Sequence, residues 1–375
     1  MAGRRVMMVA GEASGDAQAA KLAAAMHKRD PNLEIFGVGG PAMRRAGVDT
    51  RFDSTELSIM GFTEALGALA RVRRCYRHLK ETLRGPGRPD LLVLIDFPDF
   101  NIPLAGVASR TAVPVLYYVG PQVWAWRRGR IAKLARRIDR MIVVFPFEAE
   151  LYRARGMDAH FVGNPLAEDV RPSGREGALA GLGTDDERPL VALLPGSRRK
   201  EVTRVLPVML EAARALEDRA RFAIAAAPGL DRRLLEALVG HSGVEAPIIG
   251  GETYDLVAAS RAVAVTSGTA TVECALLGTP MVVLYRMSAL SYLVARSLID
   301  VPHMAMPNII LEERAVPELL QGELTADRLC AELSRLLEGG PAIDRLREKL
   351  ATVRDRLVRP GAAAEAARLA LELLP

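Results

Sequence analysis

Short runs of consecutive apolar residues recur along the chain, separated by stretches whose apolar positions repeat at helical spacing. The runs predict strands at Arg4–Ala10, Leu33–Gly37, Leu91–Ile95, Val113–Tyr118, Arg140–Phe145 and Ala159–Val162. The stretches between them predict helices at Asp16–Lys28, Phe62–Leu83, Pro103–Arg110, Arg130–Arg137 and Phe147–Arg155. Strands that are apolar throughout, rather than at alternate positions, are buried on both faces, as in parallel α/β sheets. Arg171–Arg188 breaks the pattern with Gly, Pro, Ser and acidic residues, the composition of a surface connection. The alternation then resumes with strands at Leu190–Leu194, Arg221–Ala226, Pro247–Ile249, Ala262–Val265 and Met281–Tyr285. Helices are predicted at Glu201–Leu216, Asp231–Val239 and Thr269–Leu277, and everything after Leu311 reads as helical, with Pro341 and Pro360 opening the last segments. Two α/β halves in tandem follow, each with its own sheet: residues 1–167, residues 168–340, and terminal helices over 341–375 with the option of crossing back to the first half.

Composition narrows the class. Of 375 residues, 50% are hydrophobic and 25% charged, the balance of a globular chain, which excludes disordered and collagen-like readings. No uncharged stretch is longer than the 16 residues of Thr111–Trp126, and that one holds Pro114 and Gly120-Pro121, so no membrane-spanning helix is predicted. The short apolar run Val6–Ala10 is too brief for a signal peptide, and a cytoplasmic location is expected. Three widely spaced cysteines and five scattered histidines support neither disulfides nor a metal site, so no metal is expected; the expected cofactor is likewise none. A net charge of +5, carried mainly by arginine, keeps a nucleic-acid-binding protein as a rival.

Ligands of such folds gather at the carboxyl ends of the strands, so the loops there carry the candidate chemistry. Gly11-Glu12-Ala13-Ser14-Gly15-Asp16 leaves the first strand and opens a helix; it reads equally as an oxygen-binding helix start or as a tight turn capped by Ser14 or Asp16. Gly37-Val38-Gly39-Gly40-Pro41-Ala42 formally fits a dinucleotide fingerprint, but it follows the second strand and lacks the later acidic residue, which favours a structural turn. In Ile95-Asp96-Phe97-Pro98-Asp99-Phe100-Asn101, Asp96 stands where a buried strand ends. It could accept a proton from a substrate hydroxyl or pair with an arginine, while Asp99 or Asn101 suits a helix cap. Pro195-Gly196-Ser197-Arg198 and Ser267-Gly268-Thr269-Ala270 each run from a strand into a helix. Either alone could be capping; together, with Glu273 one turn further on for ribose hydroxyls, they favour a nucleotide site. No Asp-x-Asp occurs to hold a diphosphate through metal, so Arg and helix starts would have to neutralise it. The segment Leu57–Leu83 sets Ile59, Met60, Phe62, Leu66 and Leu69 beside Arg71, Arg73 and Arg74, which reads as a core stripe or as an interfacial membrane helix. Gln122–Arg130, with both tryptophans and a basic run, reads as a solvated helix or as a contact for acidic lipid or nucleic acid.

Taken together, GEASGD, IDFPDFN, QVWAWR, FVGNP, LLPGSR, TSGTATVEC, VVLYRM and MPNIIL, in this order across residues 4–310, resemble the lipid-A-disaccharide synthase family. The resemblance implies a GT-B fold, two Rossmann-like domains facing a cleft, and an inverting glycosyl transfer. UDP-2,3-diacylglucosamine and 2,3-diacylglucosamine 1-phosphate (lipid X) would give a β-1,6 disaccharide 1-phosphate and UDP. It makes Asp96 the base and Arg198 the diphosphate cation. Gly196, Ser197, Ser267, Gly268, Thr269, Ala270, Glu273 and Asn308 fall on the nucleotide side, Asn308 within reach of a partner's nucleotide in a domain-exchanged homodimer. Glu12, Ser14, Gly15 and Asp16 fall on the acceptor side. It also implies a peripheral position on the inner face of the inner membrane, with no nucleic-acid partner, and raises the lipid reading of Leu57–Leu83. Two positions depart from the family pattern: Asn164 stands for His, which removes a titrating group, and Ala19 stands for Gly. Rivals are another UDP-sugar transferase or epimerase of the same fold, or a dinucleotide-dependent oxidoreductase using Gly37–Ala42.

Overall fold

The computed structural model describes residues 3–54, 65–121, 131–174, 182, 187–288 and 302–375. The chain forms two compact units, Met1–Pro165 with Arg359–Pro375, and Leu166–Val358. The first is built on seven parallel strands: β1 (Arg5–Ala10), β2 (Glu34–Gly39), β3 (Asp49–Asp53), β4 (Leu91–Ile95), β5 (Val115–Tyr118), β6 (Arg140–Val143) and β7 (Ala159–Phe161), in the order β3-β2-β1-β4-β5-β6-β7. The second holds six: β8 (Leu190–Leu194), β9 (Arg221–Ala226), β10 (Ile248–Gly250), β11 (Ala262–Thr266), β12 (Met281–Tyr285) and β13 (Glu318–Leu320), in the order β10-β9-β8-β11-β12-β13. Both are doubly wound: the strand order reverses between β1 and β4 in one sheet and between β8 and β11 in the other. The crevice outside such a reversal is where this architecture takes ligands.

Alternate residues of the first sheet face two cores. Met7, Val9, Leu92, Leu94 and Tyr117 enter one; Val6, Met8, Leu91, Val93, Leu116 and Tyr118 enter the other. The second core is closed by helix Ala13–Arg29 and by the last helix, Ala362–Leu371, whose buried Ala362, Ala366, Leu369 and Ala370 join it. Small side chains let these helices approach closely. Ala19 is fully buried there, so its methyl group acts in packing. Arg140 locks the returning helix, donating to the Leu369 carbonyl and the Glu372 carboxylate, each at 2.8 Å, and to Asp158 at 2.6 Å. Helix Pro341–Leu357, grouped with the tail in the sequence reading, is instead part of the second unit; only the final helix returns to the first.

Three local expectations are corrected. The helix after β4 starts at Pro98, not Pro103, which lies inside it and only removes one donor from the ladder. Strand β3, Asp-Thr-Arg-Phe-Asp, was not expected because an edge strand with one solvated face lacks an apolar run. Strand β13 interrupts the stretch read as helical after Leu311. The membrane candidates Ile59, Met60 and Phe62, and the segment Gln122–Arg130, lie outside the described residues, as do the side chains of Leu66 and Leu69. Arg71, Arg73 and Arg74 are exposed on helix Ala65–Arg84. No helix among the described residues is long and apolar enough to cross a membrane, and no group of metal-ligating side chains forms among them.

Candidate active site

Asp96 sits at the β1/β4 reversal. It ends β4 in the left-handed region, φ 44°, and Phe97 follows at φ 48°. Two successive left-handed non-glycine residues are strained, and the fold holds them from several sides. The Tyr117 hydroxyl donates to the Asp96 carbonyl at 2.5 Å and the Asn101 amide donates to it at 2.8 Å. Asn101 also donates to the Ile95 carbonyl at 3.2 Å. Asn101 is thus no helix cap: from inside helix Pro98–Ala108 it reaches back and ties down the strand end, while its own Oδ1 has no hydrogen-bond partner among the described residues. The Phe97 ring covers Gly11, where an added Cβ would fall 2.3 Å from a ring carbon, so no side chain fits at residue 11. The turn leaves the Asp96 carboxyl partly buried. Burial and then the nearby Glu12 charge raise its pKa above the usual carboxylate value, opposed by the Phe97 backbone N–H.

The acceptor-side candidates separate. Helix Ala13–Arg29 begins earlier than expected, with Glu12 as its N-cap; Glu12 and Ser14 are exposed, and Gly15 packs on Ala10 and Ile95. Asp16 is buried within the unit. Its buried carboxylate accepts the N–H groups of Gly40 at 2.7 Å, Ala42 at 2.9 Å and Met43 at 3.1 Å, and so caps helix Pro41–Arg45. Two of these bonds use the Gly40 and Ala42 amides of the Gly37–Ala42 loop, which is how a structural turn uses them. Asp16→Ala should cost about 3 kcal/mol of stability, because three donors lose a charged acceptor at once. Denaturant unfolding followed by circular dichroism reads this; an unchanged midpoint with a selective loss of acceptor binding would return Asp16 to the acceptor site.

In the second unit, the corresponding reversal is flanked by the loops after β8 and β11. Gly196 takes φ +107°, where an L-residue is strained, and a Cβ there would press on Glu201. Arg198 is the extended N-cap of helix Arg199–Arg214; its side chain is 81% exposed and bonds Glu201 at 2.9 Å. Ser197 is exposed beside it. Both Arg198 and Glu201 act electrostatically on Tyr285, at the end of β12, whose phenol is raised by burial and by Glu201 and lowered by Arg198. After β11, Gly268 caps helix Thr269–Leu276 at φ +150°, with Gly268 and Thr269 exposed. Ser267 is held by its N–H to the Leu284 carbonyl and its hydroxyl to the Met304 carbonyl, each at 2.8 Å. One turn along, Glu273 accepts from the Tyr254 hydroxyl at 3.2 Å. Burial raises the Glu273 pKa against that bond, and burial with the Glu273 charge pushes Tyr254 up to about 12, so Tyr254 remains a donor. No motif in the sequence singled out Tyr254.

Asn308 is engaged within its own unit. It is fully buried, and its amide donates to the Val316 carbonyl and Glu318 while accepting the Ala315 and Val316 N–H groups. All four of its hydrogen-bonding positions are used. Glu318 in turn accepts the N–H groups of Met304 and Ala305, so Asn308 and Glu318 fix the strand of chain on which Ser267 rests. Asn164 is likewise buried, its amide donating to the Val144 carbonyl at 3.1 Å. The thiols of Cys75 and Cys274 are buried and their pKa values raised, which makes them inert.

The fold resembles UDP-GlcNAc 2-epimerase from Neisseria meningitidis bound to UDP-GlcNAc (TM-score 0.66, 12% identity, 98% of this chain and 100% of that one). It equally resembles the calicheamicin glycosyltransferase CalG4 (TM-score 0.63, 15% identity, 100% and 99%). At these identities the likeness establishes the GT-B architecture, which transferases and epimerases share. Sequence is more selective. The model of the family described as lipid-A-disaccharide synthetase matches residues 6–370. The lipid-A-disaccharide synthase of Geobacter metallireducens is 45% identical over 99% of this chain and 97% of its own. That of Myxococcus xanthus is 41% identical over 99% and 98%. With a family match that runs through both sheets and the loops at both reversals, the chain belongs to the lipid-A-disaccharide synthase family of glycosyltransferases.

Proposed function

We propose that the chain joins UDP-2,3-diacylglucosamine to 2,3-diacylglucosamine 1-phosphate with inversion at the anomeric carbon. The observation that carries this is the partly buried Asp96 carboxyl, fixed in a strained turn at one sheet reversal, together with an exposed arginine and two helix starts at the other. Asp96 takes the proton of the acceptor 6-hydroxyl as that oxygen attacks the anomeric carbon. The bond from that carbon to the diphosphate breaks, and its electron pair leaves with UDP. Arg198, the start of its helix at Arg199 and the helix start at Ser267–Thr269 stabilise the charge that develops on the leaving diphosphate. Glu273, oriented by Tyr254, accepts from ribose hydroxyls. Glu12, Ser14 and Gly15 border the acceptor hydroxyl. Exposed Arg71 and Arg73 suit a peripheral position on the anionic inner face of the inner membrane.

Purified protein incubated with both substrates and EDTA should release UDP and form the disaccharide 1-phosphate, detected by mass spectrometry. Turnover of the UDP-sugar that does not depend on the acceptor, as an epimerase would give, contradicts the proposal; so does a strict requirement for a divalent cation.

A further inference from the structure

We infer that the first unit carries a phosphate-monoester site where β3 meets helix Ala65–Arg84, and that it reads the phosphate of the acceptor. A hollow of about 430 Å³ is lined by Arg51, Phe52, Arg74, Arg77, His78 and Glu81. Three guanidinium groups and an imidazole thus line it with one carboxylate, Glu81, while Arg51 is also paired with Asp49 beside it. Arg74 and Arg77 are one helical turn apart on the same face, where like charges repel unless an anion lies between them. Both are exposed, and neither makes an ion pair among the described residues. The other walls are fixed. Arg51 donates to Asp49 at 3.0 Å and lies over the Phe36 ring at 4.1 Å, and His78 packs on Phe52 with ring centroids 5.4 Å apart. Forked guanidinium groups on a rigid aromatic base match the oxygens of a phosphate.

A second hollow, about 570 Å³, shares Arg77 and is lined by Val72, Tyr76, Phe100 and Pro103 together with Arg73, Lys80 and Asp99. A cationic site beside one that mixes apolar and basic side chains suits an anionic head joined to a hydrocarbon chain. The floor also leads to the catalytic turn: Tyr76 meets Phe100 edge-on at 5.5 Å, and Phe100 stacks at 5.3 Å on Phe97, the residue after Asp96. The phosphate site stands on this geometry alone; its role in choosing the acceptor rests on the proposed function.

The test compares wild type with the double variant Arg74→Ala/Arg77→Ala, two exposed positions. Calorimetric titration with glucosamine 1-phosphate should show binding to wild type and roughly tenfold or greater weakening in the variant, since charge-assisted hydrogen bonds are lost. The kcat/KM for 2,3-diacylglucosamine 1-phosphate should fall at least as far, mainly through KM, while that for dephosphorylated 2,3-diacylglucosamine stays unchanged. Equal losses with the two acceptors would overturn the inference. So would unchanged titration with weaker flotation on phosphatidylglycerol vesicles, which would assign these arginines to the membrane surface. Should wild type form no disaccharide, the proposed function fails, and the titration still decides the phosphate site.

Discussion

Asp96→Asn should lower kcat by roughly a thousandfold, the middle of the range for losing a general base, and leave UDP affinity unchanged. The substitution is chosen for the backbone. Residue 96 has φ 44°, a conformation that asparagine tolerates better than most residues, so the turn and its bonds from Tyr117 and Asn101 survive. What is lost is the capacity to hold a proton. Steady-state turnover and calorimetric titration with UDP separate the two effects. A variant that retains most of its activity would remove Asp96 from the chemistry and leave it as a strand-end residue.

Arg198→Ala should lower kcat by about a hundredfold to a thousandfold, the scale on which removing one fixed donor from a developing charge is felt. UDP binding should weaken with it, because the same cation meets the product diphosphate. The fold should be unaffected, since the side chain is 81% exposed and its bond to Glu201 is a surface ion pair. Arg198→Lys should recover little of the loss, because an ammonium supplies the charge without the planar fork. Full activity in Arg198→Lys would show that charge alone matters; full activity in Arg198→Ala would place the diphosphate elsewhere.

Much of this was legible in the sequence because burial on both faces leaves a plain signature. Strands such as Leu91–Ile95 and Leu190–Leu194 are apolar at every position and match their predicted bounds. The loops that follow them are short and rich in Gly, Ser, Asp and Arg, so candidate chemistry could be placed at strand ends. What was not legible is long-range polar pairing. Asp16 stands in a motif that looks like a binding loop, yet its partners are amides 24 to 27 residues away. Asn308 bonds a loop and a strand that no helical periodicity suggests, because β13 is short and begins with a buried glutamate. Tyr254 lies 19 residues from Glu273 and becomes visible only when β10 and β11 bring their following helices together. The return of the last helix depends on an alanine-rich face fitting a sheet surface formed more than 200 residues earlier, with Arg140 reaching 229 residues along the chain to hold it.

The most direct measurement is the pH dependence of kcat/KM in wild type and in Glu12→Gln. Asp96 must be ionised to accept the proton, and burial together with Glu12 raises its pKa, so the rate falls as pH drops through that raised value. The acid limb of the wild-type profile should therefore lie above the ordinary carboxylate value of 3.8. Replacing Glu12 by a neutral amide removes one of the two causes and should move the limb to lower pH. A limb that stays in place in Glu12→Gln, or that persists unchanged in Asp96→Asn, would contradict the assignment of Asp96 as the base.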